Sequence, residues 1–245
     1  MFKLGSLFRK KKKFKKQLEA SFRSDHYTRH NARRLEHLAS LGLNLAGKTV
    51  IEFGAGIGDH SHYYIDRGCP ITITEARPEN IAYLKARYPE QGVFYLDLEK
   101  PEIDPKAAYQ VVHCYGTLYH LVDPAQAIAF MAGINREILL LETCVSFGDG
   151  EAVNSVSEMQ SNPTQAFSGR GCRPTRPWLF HELKKHYRHV YIPLTQPNHH
   201  EFPLDWSQPE KHQSKFSRSI FIASRSPIDS SLLSAELLNK QIRHP

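Results

Sequence analysis

The stretch VIEFGAGIGDHS at 50–61 constrains this chain more than any other. A short strand-forming run breaks into glycines at 54, 56 and 58, and DHSHYYIDRG then reads as a helix stopped by Gly68. Alternate glycines at a strand-to-helix junction let the backbone turn sharply, and let a ligand lie against it without meeting a Cβ. The dinucleotide-binding spacing G-x-G-x-x-G needs a glycine three positions after Gly56, where Asp59 stands instead. The observed string is E-x-G-x-G-x-G, with Glu52 two residues ahead of the first glycine.

Strands and helices alternate around this turn. A helix is expected from about Asp25 to Leu43, capped by Ser24 or Asp25, with Ala32, Leu35, Leu38 and Ala39 on one face. KTVIEF, ITITE, VFYLD, YQVVHCY and EILLLETCV read as strands. PENIAYLKARYP and AQAIAFMAGI read as helices, with Pro78 starting the first and Pro89 stopping it. Near-continuous apolar strands in this order mean a parallel sheet covered by helices on both faces. Residues 146–175 show little periodicity, as a functional or disordered loop does. RPWLFHELKKHYRHV resumes as a helix. VYIPLT and RSIFIASR follow, joined by a polar segment (196–217) into which no helix fits, and so read as antiparallel neighbours.

The string E-x-G-x-G-x-G resembles motif I of the class I S-adenosylmethionine-dependent methyltransferases, and the likeness extends over roughly residues 45–225. It implies a Rossmann-like α/β fold: a seven-stranded, mostly parallel sheet with helices on both faces and an antiparallel C-terminal strand pair. It implies S-adenosylmethionine as cofactor, held at the turn by Glu52, Phe53, Gly54, Ala55 and Gly56. Glu75, closing the second strand, corresponds to the family's acid on the ribose hydroxyls; a carboxylate accepts from both at once. Asp97 is placed at the adenine amino group with Leu98 beside the ring, and Cys114 and Tyr115 beside the methionine part. The exit of the fourth strand, GTLYHLVDP, offers His120 as a candidate catalytic base near the reactive end. Tyr115, Tyr119 and His60 rank behind it, and His60 and Ser61, opening the helix after the glycines, suit the carboxylate of the methionine part. Methyl transfer from a sulfonium is an in-line displacement that requires alignment and exclusion of water but no metal.

Two irregular segments are expected to wall an acceptor pocket. The first, 146–175, runs into SGRGCRPTR (168–176), whose Arg170, Arg173 and Arg176 suit a phosphate or carboxylate, or solvent. The second, QPNHHEFPLDW, holds His199, His200 and Asp205. Adjacent histidines on an extended segment point opposite ways and no second cluster shows ligand spacing, so no metal is expected.

Charge is distributed unevenly. Residues 1–16 carry eight Lys or Arg and no acid, whereas the rest of the chain holds 24 bases against 25 acids. The near-neutral body gives no sign of a nucleic-acid surface. The tail, with Phe2, Leu4, Leu7, Phe8 and Phe14 among its charges, suits a solubilising segment, an anionic membrane surface or RNA. Residues 1–23 are read as a flexible basic tail, 24–226 as one domain and 227–245 as a weak helix or tail. The four cysteines, at 69, 114, 144 and 172, form no C-x-x-C pair and read as reduced thiols. No secretory signal or membrane span is read, so the protein is expected in the cytoplasm, free or peripheral at the inner membrane surface. A small-molecule methyltransferase acting on a sugar, glycolipid or secondary metabolite is the leading expectation. The alternatives are a tRNA-modifying enzyme, to which the G-x-L-Y-H exit is also similar, and a non-catalytic cofactor-binding protein. No pattern specifies an oligomeric state.

Overall fold

The computed structural model describes residues 18–102, 104, 106–208 and 217–245, so the basic segment 1–16 and its proposed contacts lie outside the described residues. Residues 18–22 are helical, and further helices in chain order are α1 (Asp25–Ser40), α2 (Ser61–Ile65), α3 (Pro78–Arg87), α4 (Pro124–Ile134) and α5 (Arg176–His186). The strands of the main sheet are β1 (Val50–Glu52), β2 (Ile71–Glu75), β3 (Gly92–Tyr95), β4 (Tyr109–Tyr115), β5 (Asn135–Cys144), β8 (His189–Pro193), β10 (Arg218–Ser224) and β11 (Leu233–Ser234). Two small sheets complete the fold: β6 (Val153–Ser157) with β7 (Arg170–Pro174), and β9 (Thr195–Gln196) with β12 (Ile242–Arg243).

The main sheet runs β11-β8-β10-β5-β4-β1-β2-β3. Strands β3, β2, β1, β4 and β5 are parallel, while β10 enters antiparallel between β5 and β8. The alternation of side chains along each strand divides the core into two layers. Val112, Cys114, Leu139 and Leu141 meet Ala127, Ile128 and Met131 of α4 and Leu179, Phe180 and Leu183 of α5 on one face. Val111, Tyr115, Ile138 and Leu140 meet Leu38 of α1, Tyr64 of α2 and Leu84 of α3 on the other. Fully burying one such aliphatic side chain contributes about 1.5–3 kcal/mol, so each layer independently favours the sandwich. Among the described residues no helix is long and apolar enough to cross a membrane.

Four expectations change. Residues 146–175 are not a structureless loop: β6 and β7 pair from Val153↔Pro174 to Ser157↔Arg170. Residues 227–245 form no helix; β11 extends the sheet beside β8, and β12 pairs with β9. The fold also begins before residue 24, since Leu18 and Phe22 are buried against Ile57. Finally, the buried stripe of α1 is polar, His30, Asn31, Arg34 and His37 with Leu38, whereas Ala32 and Ala39 are exposed. Those polar groups find charged and hydrogen-bonding partners at the sheet, which offsets their desolvation.

Candidate active site

An open cleft with about 1110 Å³ of empty volume lies over the C-terminal ends of β1, β2 and β4, the edge at which open α/β sheets bind ligands. Most of the residues singled out from the sequence line it: Glu52, Gly54, Ala55, Gly56, Glu75, Asp97, Leu98, Tyr115 and His120. Phe53 and Cys114 do not. Phe53 is buried with its ring edge-on to Phe130, and Cys114 points into the opposite core layer from its neighbour Tyr115, as strand alternation dictates. Burial pushes the Cys114 thiol up to about 12, in keeping with a packing role.

The glycine turn is a run of left-handed backbone, with φ of 60°, 59° and 81° at Gly54, Gly56 and Gly58. Each glycine also faces a close neighbour. A Cβ on Gly54 would lie 2.3 Å from Thr117 Oγ1, and one on Gly58 would lie 2.5 Å from Tyr88. At Gly56 the neighbour is the Phe22 ring, 2.8 Å from where a Cβ would stand. The bend is therefore fixed by conformation and by packing across the cleft, in addition to any approach of a ligand.

Glu75 ties the turn to the next βα junction. Gly56 N–H donates to Glu75 Oε2 at 2.8 Å, and the Ala76 and Arg77 N–H groups both donate to Oε1 at 2.9 Å. Burial raises its pKa and these amides oppose the rise. Three backbone donors, with the Asn80 side chain as a fourth, take up the roughly four acceptor positions of the carboxylate, so a sugar hydroxyl would share or displace one of them. Glu52 differs: desolvation lifts it to about 8, so it is largely protonated at neutral pH, and Ser61 Oγ donates to its Oε2. Its contact secures the start of α2. That helix has only five residues, because Ile57–His60 are taken up by the turn. Asp97 accepts from Glu99 N–H at 2.9 Å beside buried Leu96 and Leu98.

His60 and Tyr115 mark the inner end. His60 Nδ1 contacts His113 Nε2 at 3.1 Å, and His113 Nδ1 contacts the Tyr64 hydroxyl at 2.8 Å. Burial lowers His113 to about 3 and His60 well below its usual range, so both rings are neutral. His60 Nε2 and Tyr115 Oη are buried without a hydrogen-bond partner, and so are Arg34 Nε, Asn80 Oδ1 and His30 Nε2, the last lying 3.6 Å from Glu201 Oε2. These five atoms belong to residues lining one cleft, and together they are half of the ten such atoms among the described residues. An unsatisfied buried polar atom carries a penalty of about 1–3 kcal/mol, and a polar ligand is one way to remove it.

Sequence reasoning missed the cleft's charged wall. Arg34 of α1 and Arg218 of β10 both pair with Glu142, which is fully buried on β5, at 2.7 and 3.0 Å. Arg218 also donates to Glu201 at 2.7 Å and to the Tyr119 hydroxyl at 3.2 Å. The arginines expected to recognise an anion have other partners. Arg173 pairs with Glu158, and buried Arg176 donates to Leu238 O and lies over Trp206. Arg170 is exposed.

Sequence reasoning also missed Glu158, which follows β6 directly. Its carboxylate contacts His120 Nδ1, accepts from Ala166 N–H at 2.7 Å and lies 3.3 Å from Arg173. Burial lowers the His120 pKa more than Glu158 raises it. Glu158, although partly desolvated, is held below the usual carboxylate range by His120, Ala166 N–H and Arg173. An ionised carboxylate only accepts, so Nδ1 carries the ring proton and Nε2 presents its lone pair. The segment after Glu158 returns over the cleft: the Arg77 guanidinium donates to Gln165 O and Ala166 O and lies over the Phe167 ring. It therefore roofs the Glu75 side of the cleft as well as the His120 side, where the acceptor was expected.

This fold and this cleft define a cofactor-binding α/β enzyme of the methyl-transferring class. Residues 24–176 match the family described as "Methyltransferase domain", and the chain belongs to that family. No curated protein matches the chain in sequence. Among solved structures, the N-terminal domain of EvdMO1, solved in the presence of SAH (S-adenosylhomocysteine) and D-fucose, is 18% identical with a TM-score of 0.58, the match covering 82% of this chain and 84% of that one. Magnesium protoporphyrin IX methyltransferase from Synechocystis PCC 6803, with bound SAM (S-adenosylmethionine), is 15% identical with a TM-score of 0.52 and covers 82% of each chain. The glycopeptide N-methyltransferase MtfA is 12% identical with a TM-score of 0.51, over 80% of this chain and 90% of that one.

Proposed function

We propose that this enzyme moves a methyl group from S-adenosylmethionine to a hydroxyl of a small-molecule acceptor. The reading is carried by one observation: a neutral histidine, oriented by an ionised glutamate, lines the same cleft as the glycine turn and the Glu75 carboxylate. The cofactor, when bound, supplies an electrophilic methyl group on a sulfonium. The residues present fit it. Glu75 presents its carboxylate to the cleft beside the glycine turn, Asp97 and Leu98 form a short polar and apolar pair, and buried atoms of His60, Tyr115 and Arg34 without a hydrogen-bond partner line the inner end.

His120 Nε2 would accept the proton of the attacking hydroxyl, and Glu158 would stabilise the imidazolium that results. A positioned base of this kind contributes typically about 10²–10⁴-fold. The walls formed by Tyr27, Tyr119, Leu121 and the 163–168 segment would exclude water and hold the acceptor in line. Sugars are the acceptor class of first interest, because EvdMO1 shares the fold and its N-terminal domain was solved in the presence of D-fucose.

The test has two arms. Calorimetry with SAH measures cofactor-site binding, and transfer of labelled methyl groups to a panel of sugars and other hydroxyl compounds measures turnover. His120→Gln should keep SAH affinity and lose transfer; transfer undiminished in that variant would remove the proposed chemistry while leaving the cofactor site intact. Deleting residues 1–16 addresses the RNA alternative, which requires that activity disappear with the basic tail.

A further inference from the structure

The turn His199–Phe202, closed by a 3.1 Å bond from Phe202 N–H to His199 O, overturns the argument that His199 and His200 diverge on an extended segment. Their ring centroids are 4.3 Å apart. The second half of a ligand set comes from α1, where His26 and His30 stand four residues apart and so share a face. His26 Nε2 lies 3.1 Å from Glu201 Oε1, and His30 Nε2 lies 3.6 Å from Glu201 Oε2. The His199 ring is 4.9 Å from that of His30 and 5.3 Å from that of His26. Ligand atoms of His30, His199 and Glu201 fall within 4.8 Å of one another, as do those of His26, His199 and His200.

We propose that His26, His30, His199 and Glu201 form a binding site for a divalent d-block cation of the zinc class, with His200 at its rim. Tetrahedral zinc holds nitrogen and oxygen at about 2.0–2.1 Å, which places neighbouring donor atoms roughly 3.3 Å apart. The two histidine–carboxylate separations, one to each oxygen of Glu201, lie on either side of that value. Imidazoles with one carboxylate suit zinc, cobalt or nickel, and too few oxygens are present for calcium or magnesium.

The surroundings match a metal's requirements. His30, His199 and Glu201 are all buried, which shields a bound cation from solvent and suits neutral imidazole donors. Arg218 donates to Glu201 Oε2 at 2.7 Å and fixes the carboxylate, as outer partners of metal ligands do. His199 Nδ1 accepts the Glu201 N–H at 3.3 Å. Coordination through Nε2 moves the ring proton to Nδ1 and gives up that long contact. The cation would clasp α1 to the 199–202 turn. His30 and Arg218 belong to the cleft wall as well, so the clasp would hold that wall in place.

Tag-free protein titrated with Co²⁺ should show the intense visible bands of a tetrahedral centre at one equivalent, and Zn²⁺ should displace them. Zn²⁺ should also raise the melting temperature. His26→Asn, at an exposed ring, and His199→Asn should each weaken binding more than about 100-fold, beyond the 10–100-fold typical of losing an outer partner. SAH affinity serves as the folding control, and His26→Asn should keep it within about twofold of the parent. Absence of saturable one-to-one binding, or parent-like binding by the variant combining His26→Asn with His199→Asn, would overturn the proposal and leave a hydrogen-bonded histidine–carboxylate cluster. Neither readout depends on methyl transfer.

Discussion

His120 and Glu158, 38 residues apart in sequence, meet at the wall of the cleft, with the ring's Nδ1 against a carboxylate oxygen. The pairing decides which nitrogen is basic. It also sets a pH signature, because burial lowers the His120 pKa and Glu158 partly restores it.

Replacing Glu158 by Gln removes the restoring influence. The acid limb of kcat/KM, which reports protonation of free His120 below its ordinary value of 6.5, should therefore move to lower pH. The maximal rate should fall between about tenfold and 10⁴-fold because the reactive tautomer is no longer enforced. SAH affinity should not change. A limb that stays in place while the rate falls would assign Glu158 to loop architecture alone, through its bond from Ala166 N–H.

For Glu75→Ala, SAH binding should weaken by about 1.5–3 kcal/mol, the usual contribution of hydrogen bonds to a charged group. Glu75→Gln keeps the shape and part of the accepting capacity, and should fall between the parent and Ala. Because Gly56, Ala76 and Arg77 all donate to this carboxylate, the Ala variant should also lose some thermal stability. Isothermal calorimetry and melting curves separate the two effects. Unchanged affinity would remove Glu75 from the ribose site.

Gly56 tests what the glycine is for. Gly56→Ala introduces left-handed strain of about 1–2 kcal/mol and a 2.8 Å approach to the Phe22 ring. Combining it with Phe22→Ala removes the approach and leaves the strain. If packing against Phe22 dominates, the double variant should recover most of the SAH affinity lost by Gly56→Ala. If the Cβ meets the cofactor instead, calorimetry should find both variants equally weak.

The parallel half of the sheet was legible because its strands are continuous apolar runs broken by proline and glycine at the right intervals, as at Pro78 and Gly68. Glu75 and the glycine turn were legible because local chemistry demanded them there. The charged wall was not. Arg34 and His30 sit on an α1 stripe that reads as solvent-facing, and only the sheet's topology brings Glu142 and Arg218 against it. Glu158 was obscured in the same way, since Val153–Ser157 alternates too weakly to announce a strand and its partner begins at Arg170. Residue types were visible throughout; what sequence withheld was which distant charges would cancel.

Acid stability follows from the buried histidines. His37, whose Nε2 contacts Thr195, is lowered to about 4, and His113 to about 3, in both cases chiefly by burial. In the unfolded chain both titrate near 6.5, so below that pH the unfolded state binds more protons than the folded one. Their contribution is complete above about pH 6.5 and is lost progressively as pH falls toward the folded values. In a Glu52→Gln variant, which removes the opposing titration of a carboxyl lifted to about 8, urea midpoints should be level between pH 7 and 8 and should decline from pH 6.5 to 5. Midpoints constant down to pH 5 would contradict the assignment of neutral buried rings.

Glu142 carries the largest expected loss of stability. Its carboxylate is fully buried, and it is held below the usual carboxylate range by Arg218 and Arg34 against the opposing effect of burial. Removing it leaves two buried guanidinium groups, of which Arg34 loses its acidic partner among the described residues and Arg218 keeps Glu201. Breaking one side of a buried ion pair typically destabilises by about 3–5 kcal/mol. Glu142→Ala should lie within that range by urea unfolding, and Glu142→Gln should lose less because an amide oxygen still accepts. The acidic limb should change too: the parent gains stability from Glu142 above the ordinary carboxylate value of 4.5 and loses it as pH falls through the depressed folded value, whereas the Gln variant lacks this component. A loss under about 1 kcal/mol in the Ala variant would mean that solvent reaches the pair and that Arg34 is free to turn toward the cleft.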